Sequence, residues 1–150
     1  MSKIPKKIHY CWFGKQPLPE SVTKCMKTWN KHNPEYDIIK WDETNSPMDH
    51  PFVLSAYKSG KFAFVSDYVR LWAIYNHGGI YLDTDMWLIK NLDKFLDNEC
   101  FFGYEDQQKL LISAGIFGNV KKNNFIELLI KEYDNKLFSL DDISSFVIPK

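Results

Sequence analysis

Three observations predict an α/β fold with a mainly parallel central sheet. Strand-like runs alternate with helix-like runs along most of the chain. A pair of strand-like runs then follows with no helix between its members. The 150 residues, 45% apolar and 16% aromatic, amount to about one domain with enough apolar surface for a sizeable core.

The elements can be justified in order. KIHYCWF, residues 7–13, is β-branched and aromatic and reads as the first strand. GKQPLPE breaks it with glycine and prolines. From Pro19 to about His32 the apolar residues Val22, Met26 and Trp29 recur at spacings of three and four, which marks a helix face. NPEYDIIKWD gives a turn and a second strand over 36–41, and HPFVLSAYKSG gives a short helix ending at Gly60. KFAFVSDYVRLWAIYNHGG carries the strongest helix, 62–76, which Gly78 and Gly79 stop. Apolar residues cover most of its circumference, so it should be largely buried; Ser66, Asp67 and Arg70 interrupt one side. IYL follows as a strand, Asp83 and Asp85 stand at its end, and MWLIK resumes as a strand. CFFGYE and LLISAGIFGN are the late pair, and a last helix spans 123–134.

Composition narrows the function classes. Basic and acidic residues number 19 each, so no global field draws the chain to nucleic acid, and an anionic ligand needs a local site. Cys11, Cys25 and Cys100 are an odd set without C-x-x-C spacing, which predicts reduced thiols rather than disulfides or structural zinc. The basic N-terminus lacks the apolar run of a signal peptide, and no run nears the roughly 18 apolar residues that cross a bilayer. The expectation is a cytoplasmic protein without a transmembrane segment, with peripheral contact at the inner face of a membrane left open.

Four groups of residues invite chemistry. In extended backbone, side chains two apart point the same way, so Asp83 and Asp85 should face together at a strand end. Two such carboxylates repel unless a cation joins them, and hard oxygen ligands suit Mg²⁺ or Mn²⁺. A solvated turn is the plainer alternative, although strand carboxyl ends are where open α/β sheets bind ligands. Asp67 and Arg70 share a helix face at i and i+3, and either pair with each other or hold a polar ligand. Trp12 ends the first strand, either as core or as a flat surface on which a base can stack. The four histidines are scattered without ligand spacing.

Taken together, IPKKIHYCWFG, PEYDIIKWDE and FAFVSDYVRLWAIYNHGGIYLDTD resemble the DxD-containing glycosyltransferases of capsular and lipopolysaccharide synthesis. Their relatives include Och1-type mannosyltransferases and the glucosylating domains of large clostridial toxins. The resemblance runs from residue 4 to about 134. Its most specific part is Ser-Asp-x-x-Arg, ten further residues, then Tyr-x-Asp-x-Asp. It implies a GT-A fold, a Rossmann-like nucleotide-sugar domain spanning 1–150. It also implies a UDP- or GDP-linked sugar donor, Mn²⁺ or Mg²⁺ as cofactor, a saccharide or glycolipid acceptor, and retention of the anomeric configuration. By resemblance, Trp12 stacks on the nucleobase and Cys11 meets it through its backbone. Ser66, Asp67 and Arg70 hold the donor sugar and the diphosphate side, and Tyr81 lies near the nucleotide. Asp83 sits nearer the ribose and metal waters, and Asp85 is the direct metal ligand. Ser113, Ala114 and Glu105 fall near the acceptor. Family members usually continue beyond the equivalent of Lys150, so this chain is expected to carry the donor half and to lack part of the acceptor side.

Two other readings stand beside this one. A haloacid-dehalogenase-type phosphatase also has Asp-x-Asp after an apolar strand, but there a Thr or Val normally stands where this chain has Trp87. A nucleotide-sugar-binding module without turnover would share every residue named.

Overall fold

The computed structural model describes residues 3–104, 108 and 112–139. Five strands form one sheet in the order β2-β1-β3-β5-β4. They are β1 (Lys7–Cys11), β2 (Asp37–Trp41), β3 (Gly79–Leu82), β4 (Cys100–Tyr104) and β5 (Ile112–Asn119). Four helices accompany them: α1 (Glu20–His32), α2 (Pro51–Lys58), α3 (Phe62–His77) and α4 (Asn124–Lys131). The sheet is mixed. β1 pairs in parallel with β2 and β3, whereas the late pair joins antiparallel, β5 against β3 and β4 against β5.

Parallel strands need both faces covered, and the period-2 alternation of β1 and β3 supplies two apolar faces. Ile8, Tyr10, Ile80 and Leu82 pack with Trp29 of α1 and with Leu88, Leu92 and Leu96. Cys11, Trp41, Tyr81 and Phe117 pack with α2 and α3 and with Ile126 of α4. The turn from α3 into β3 depends on glycine. Gly79 has φ +122, and a Cβ there would lie 2.8 Å from the Lys7 carbonyl oxygen of the neighbouring strand.

Between the sheet and α3, His9 is fully buried. Trp41 Nε1 donates to its Nδ1 at 2.9 Å, so its Nε2 carries the proton and donates to the Gly78 carbonyl at 2.8 Å. Burial pushes the imidazole down to about 4, against the opposing pull of the Gly78 carbonyl, and His77 and Lys7 add to the lowering.

Several elements differ from expectation. β1 stops at Cys11, so Trp12 begins the loop beyond it. The last helix is shorter, Asn124–Lys131, with the Asn123 side chain accepting from Phe125 N–H as its cap. Residues 86–90 form no strand. Their alternation is real, with Leu88 buried and Trp87 and Ile89 62% and 72% exposed. The backbone partners, however, are side chains of α1. Trp29 Nε1 donates to the Met86 carbonyl and Leu88 N–H donates to Thr28 Oγ1, while Asn33, just past the helix, accepts from Leu92 N–H. The segment is a strap laid on a helix. Of the expected late strands, Glu105, Leu110 and Leu111 lie outside the described residues.

Candidate active site

The carboxyl ends of β1 and β3 border a cleft of about 530 Å³. These strands lie where the crossovers diverge, since α1 leads from β1 to β2 while α2 and α3 lead back to β3 on the other face. The loop after β1 contributes Trp12, Phe13 and Gln16 to the walls. The N-terminal half of α3 adds Phe62, Ala63, Ser66 and Arg70, and β3 with the turn after it adds Tyr81, Asp83, Thr84 and Asp85; Cys11, though buried, also borders the cleft.

Arg70 is the electrostatic centre. Its side chain is buried, yet every nitrogen has an acceptor. Nε donates to the Ser66 carbonyl at 3.1 Å and Nη1 to the Ala114 carbonyl at 2.8 Å. Nη2 lies 3.3 Å from Asp67 and Nη1 lies 3.4 Å from Asp83. The guanidinium also sits 4.5 Å over the Tyr81 ring. Burial opposes its charge, but Tyr81, Asp83 and Asp67 outweigh burial and keep it protonated. Asp67 itself is raised to about 6, because burial outweighs the help of Arg70 and Asp83 repels it further. Asp67 does not border the cleft; it backs Arg70. The Ser66 hydroxyl is turned to the Phe62 carbonyl.

The Asp pair adopts a geometry other than the extended one expected. Met86 N–H donates to the Asp83 carbonyl at 3.0 Å, which closes a β-turn over 83–86. Because the chain turns there, Asp83 and Asp85 do not alternate as in a strand, yet both face the same cleft. Their settings differ. Asp83 is held by Arg70, by the Tyr81 hydroxyl donating at 3.1 Å, and through its own N–H to the Gly115 carbonyl at 2.8 Å. Asp85 is exposed and has no hydrogen bond or ion pair among the described residues. No group of three or more His, Cys, Asp or Glu side chains gathers among the described residues. Among the described residues, this cleft therefore offers a hard cation two carboxylates, Asp83 and Asp85. That donor set fits Mg²⁺ or Mn²⁺, which keep waters and take substrate oxygens for the rest of their shell.

Trp12 is half-buried at the cleft wall. Its indole N–H donates to the Gln16 carbonyl at 2.7 Å, which fixes the ring before any ligand arrives. Burial pushes the Cys11 thiol up to about 12, which disfavours its thiolate form.

Of the residues expected near an acceptor, Ser113 and Ala114 adjoin the cleft without lining it. Ser113 accepts from Gly115 N–H, and Ala114 serves through its carbonyl to Arg70. Glu105 lies outside the described residues. Sequence reasoning passed over Phe62, Gln16, Thr84 and Gly115. A Cβ on Gly115 would lie 2.8 Å from Asp83 Oδ2, so β5 presses its backbone on that carboxylate. A glycine inside a strand is the signal that could have found it.

Comparison with known proteins gives the family and the fold. Residues 19–102 match the family described as the glycosyltransferase sugar-binding region containing the DXD motif. An inositol phosphoceramide mannosyltransferase of Schizosaccharomyces pombe is 32% identical over 98 residues, 62% of this chain and 27% of its own length. A mannosyl phosphorylinositol ceramide synthase of Saccharomyces cerevisiae is 26% identical over 133 residues, 85% of this chain and 35% of its own. The chain thus spans only about a third of these curated relatives. Among solved structures, PaToxG glycosyltransferase superposes with a TM-score of 0.71 at 19% identity, covering 85% of this chain and 59% of that one, which shows a shared GT-A-like fold.

Proposed function

The chain belongs to the glycosyltransferase family whose sugar-binding region contains the DXD motif, and from that membership we propose a metal-dependent, retaining hexosyl transfer. The donor is a UDP- or GDP-linked sugar, and the acceptor is a saccharide or glycolipid on the way to a polysaccharide. The relatives named for inositol phosphoceramide favour the glycolipid arm. A cytoplasmic setting, at the inner face of a membrane for a lipid acceptor, accompanies this reading; no helix among the described residues is long and apolar enough to cross a bilayer.

The observation that carries the proposal is the unequal Asp pair. Asp83 is held rigidly by Arg70 and Tyr81, while Asp85 stands free beside it in the same cleft as Trp12. Asp85, with Asp83 beside it, is the ligand for Mn²⁺ or Mg²⁺. When bound, such an ion neutralises the charge that develops on a departing diphosphate. Arg70, charged and immobile, faces that end of the cleft and steadies sugar or phosphate oxygens by charge-assisted hydrogen bonds. The pre-set Trp12 ring receives the base, and the adjoining Cys11 backbone borders it. Among the described residues no activated nucleophile borders the cleft, and the contribution we assign to the chain is positioning and electrostatic stabilisation.

Titration calorimetry with UDP-glucose, UDP-galactose and GDP-mannose tests this. One donor is expected to bind with Mn²⁺ and to lose most of its affinity in Asp85→Ala or without metal. Equal affinity with and without Mn²⁺ would overturn it. A second reading, donor binding without turnover, uses the same residues. Release of UDP or GDP over hours separates the two.

A further inference from the structure

We propose that Glu43 is a positioning residue for the nucleotide end of the cleft, where its carboxylate holds the loop after β1 in the shape that presents Trp12, Phe13 and Gln16. The proposal rests on the donor-binding reading above.

The loop needs holding. Gly14 has φ +100 and Lys15, which is not glycine, has φ +64, so two successive residues occupy the left-handed side of backbone space. The Trp12 indole bonds the Gln16 carbonyl only if the chain doubles back through those residues. The orientation of the stacking ring therefore depends on the conformation of Gly14 and Lys15.

Glu43 supplies the restraint. Gly14 N–H donates to Glu43 Oε2 at 2.6 Å, and the Tyr57 hydroxyl donates to the same oxygen at 2.8 Å. The Tyr57 ring packs on Phe62 with centroids 5.4 Å apart. The Phe62 ring in turn fills the space a Gly14 side chain would need, 2.6 Å from the Cβ position. These four residues close a ring that ties the loop to α2 and to the first turn of α3. Burial works against the Glu43 charge, but the Gly14 N–H and Tyr57 hydroxyl outweigh it and hold the carboxyl below its ordinary range.

The turn that carries Glu43 is itself locked. Thr44 donates through both N–H and Oγ1 to Asp42 Oδ1, Asp42 N–H donates to Asn45 Oδ1, and Asn45 Nδ2 donates to the Lys40 carbonyl. Glu43 does not border the cleft. A carboxylate aimed at a diphosphate would repel it; this one is turned onto a backbone N–H and acts through the loop.

The test combines hydrogen exchange across residues 12–18 with calorimetric affinity for UDP and GDP in Mn²⁺. Glu43→Ala is expected to speed exchange in that segment. It should also weaken binding of the nucleotide the wild type prefers by about tenfold, as for a loop in place about a tenth of the time. Glu43→Gln keeps an acceptor oxygen and should recover most of the loss, with Tyr57→Phe intermediate. If Glu43→Ala misfolds, these two variants decide, and wild-type affinity in Tyr57→Phe with unchanged exchange overturns the proposal. Unchanged affinity in a folded Glu43→Ala overturns it alone, whereas a wild type that binds neither nucleotide overturns the donor reading and this proposal with it.

Discussion

Arg70 shows how one side chain can organise a site. It is buried between Asp67 and Asp83 and anchored on two carbonyls, so Arg70→Met would leave two acids without a counter-charge. Breaking a buried pair in this way is expected to cost about 3–5 kcal/mol in urea unfolding. Arg70→Lys should recover little, because a point charge cannot reach four acceptors at once. Gly115→Ala is the subtler probe. Its methyl would crowd Asp83 Oδ2, and Mn²⁺-dependent nucleotide binding is expected to weaken by about tenfold in calorimetry. The charged residues were legible in the sequence because charges in an apolar helix or at a strand end are costly unless used. The Ala114 carbonyl and Gly115 were not. A backbone group carries no label in the sequence, and the Ala114 contact spans 44 positions.

At the scale of elements, β1 brings His9 into the core and α3 sets Asp67 against Arg70, and these two groups act in opposite directions. His9 is depressed to about 4, so between about pH 6.5 and 4 the unfolded chain binds a proton that the folded chain refuses. Its contribution to stability is complete above that window and falls as pH drops through it, by about 3 kcal/mol in all. Asp67, raised to about 6, takes its proton earlier in the folded chain, so the fold gains stability as pH falls toward 4. Wild-type stability should therefore change little between about pH 7 and 5, and Asp67→Asn should expose the steeper loss due to His9. Urea unfolding of both proteins at the two pH values measures this; a flat profile in Asp67→Asn would remove His9 from the account. Element types were mostly legible from periodicity. The strap over 86–92 was not, because a chain that alternates on a helix reads the same as one that alternates in a sheet. The side chains of Thr28, Trp29 and Asn33 decide between them.

Across the whole molecule, two apolar layers share one sheet, and β1 and β3 contribute to both. We propose that the chain behaves as one domain. Urea unfolding followed by far-ultraviolet circular dichroism and by tryptophan fluorescence should then give one coincident transition, while separated midpoints would divide it. The α/β class and the parallel half of the sheet followed from the order of elements. The antiparallel attachment of β5 did not, since sequence order alone does not say on which side, or in which direction, a late strand joins.

That attachment has a consequence for how the site can change over evolutionary time. β5 touches Arg70 through the Ala114 carbonyl and Asp83 through the Gly115 carbonyl, and only the missing side chain at Gly115 ties the arrangement to a residue type. Mutation cannot delete a carbonyl. Drift at the exposed and half-buried positions of β5 can therefore reshape what lies beyond the cleft without loosening Arg70 and Asp83.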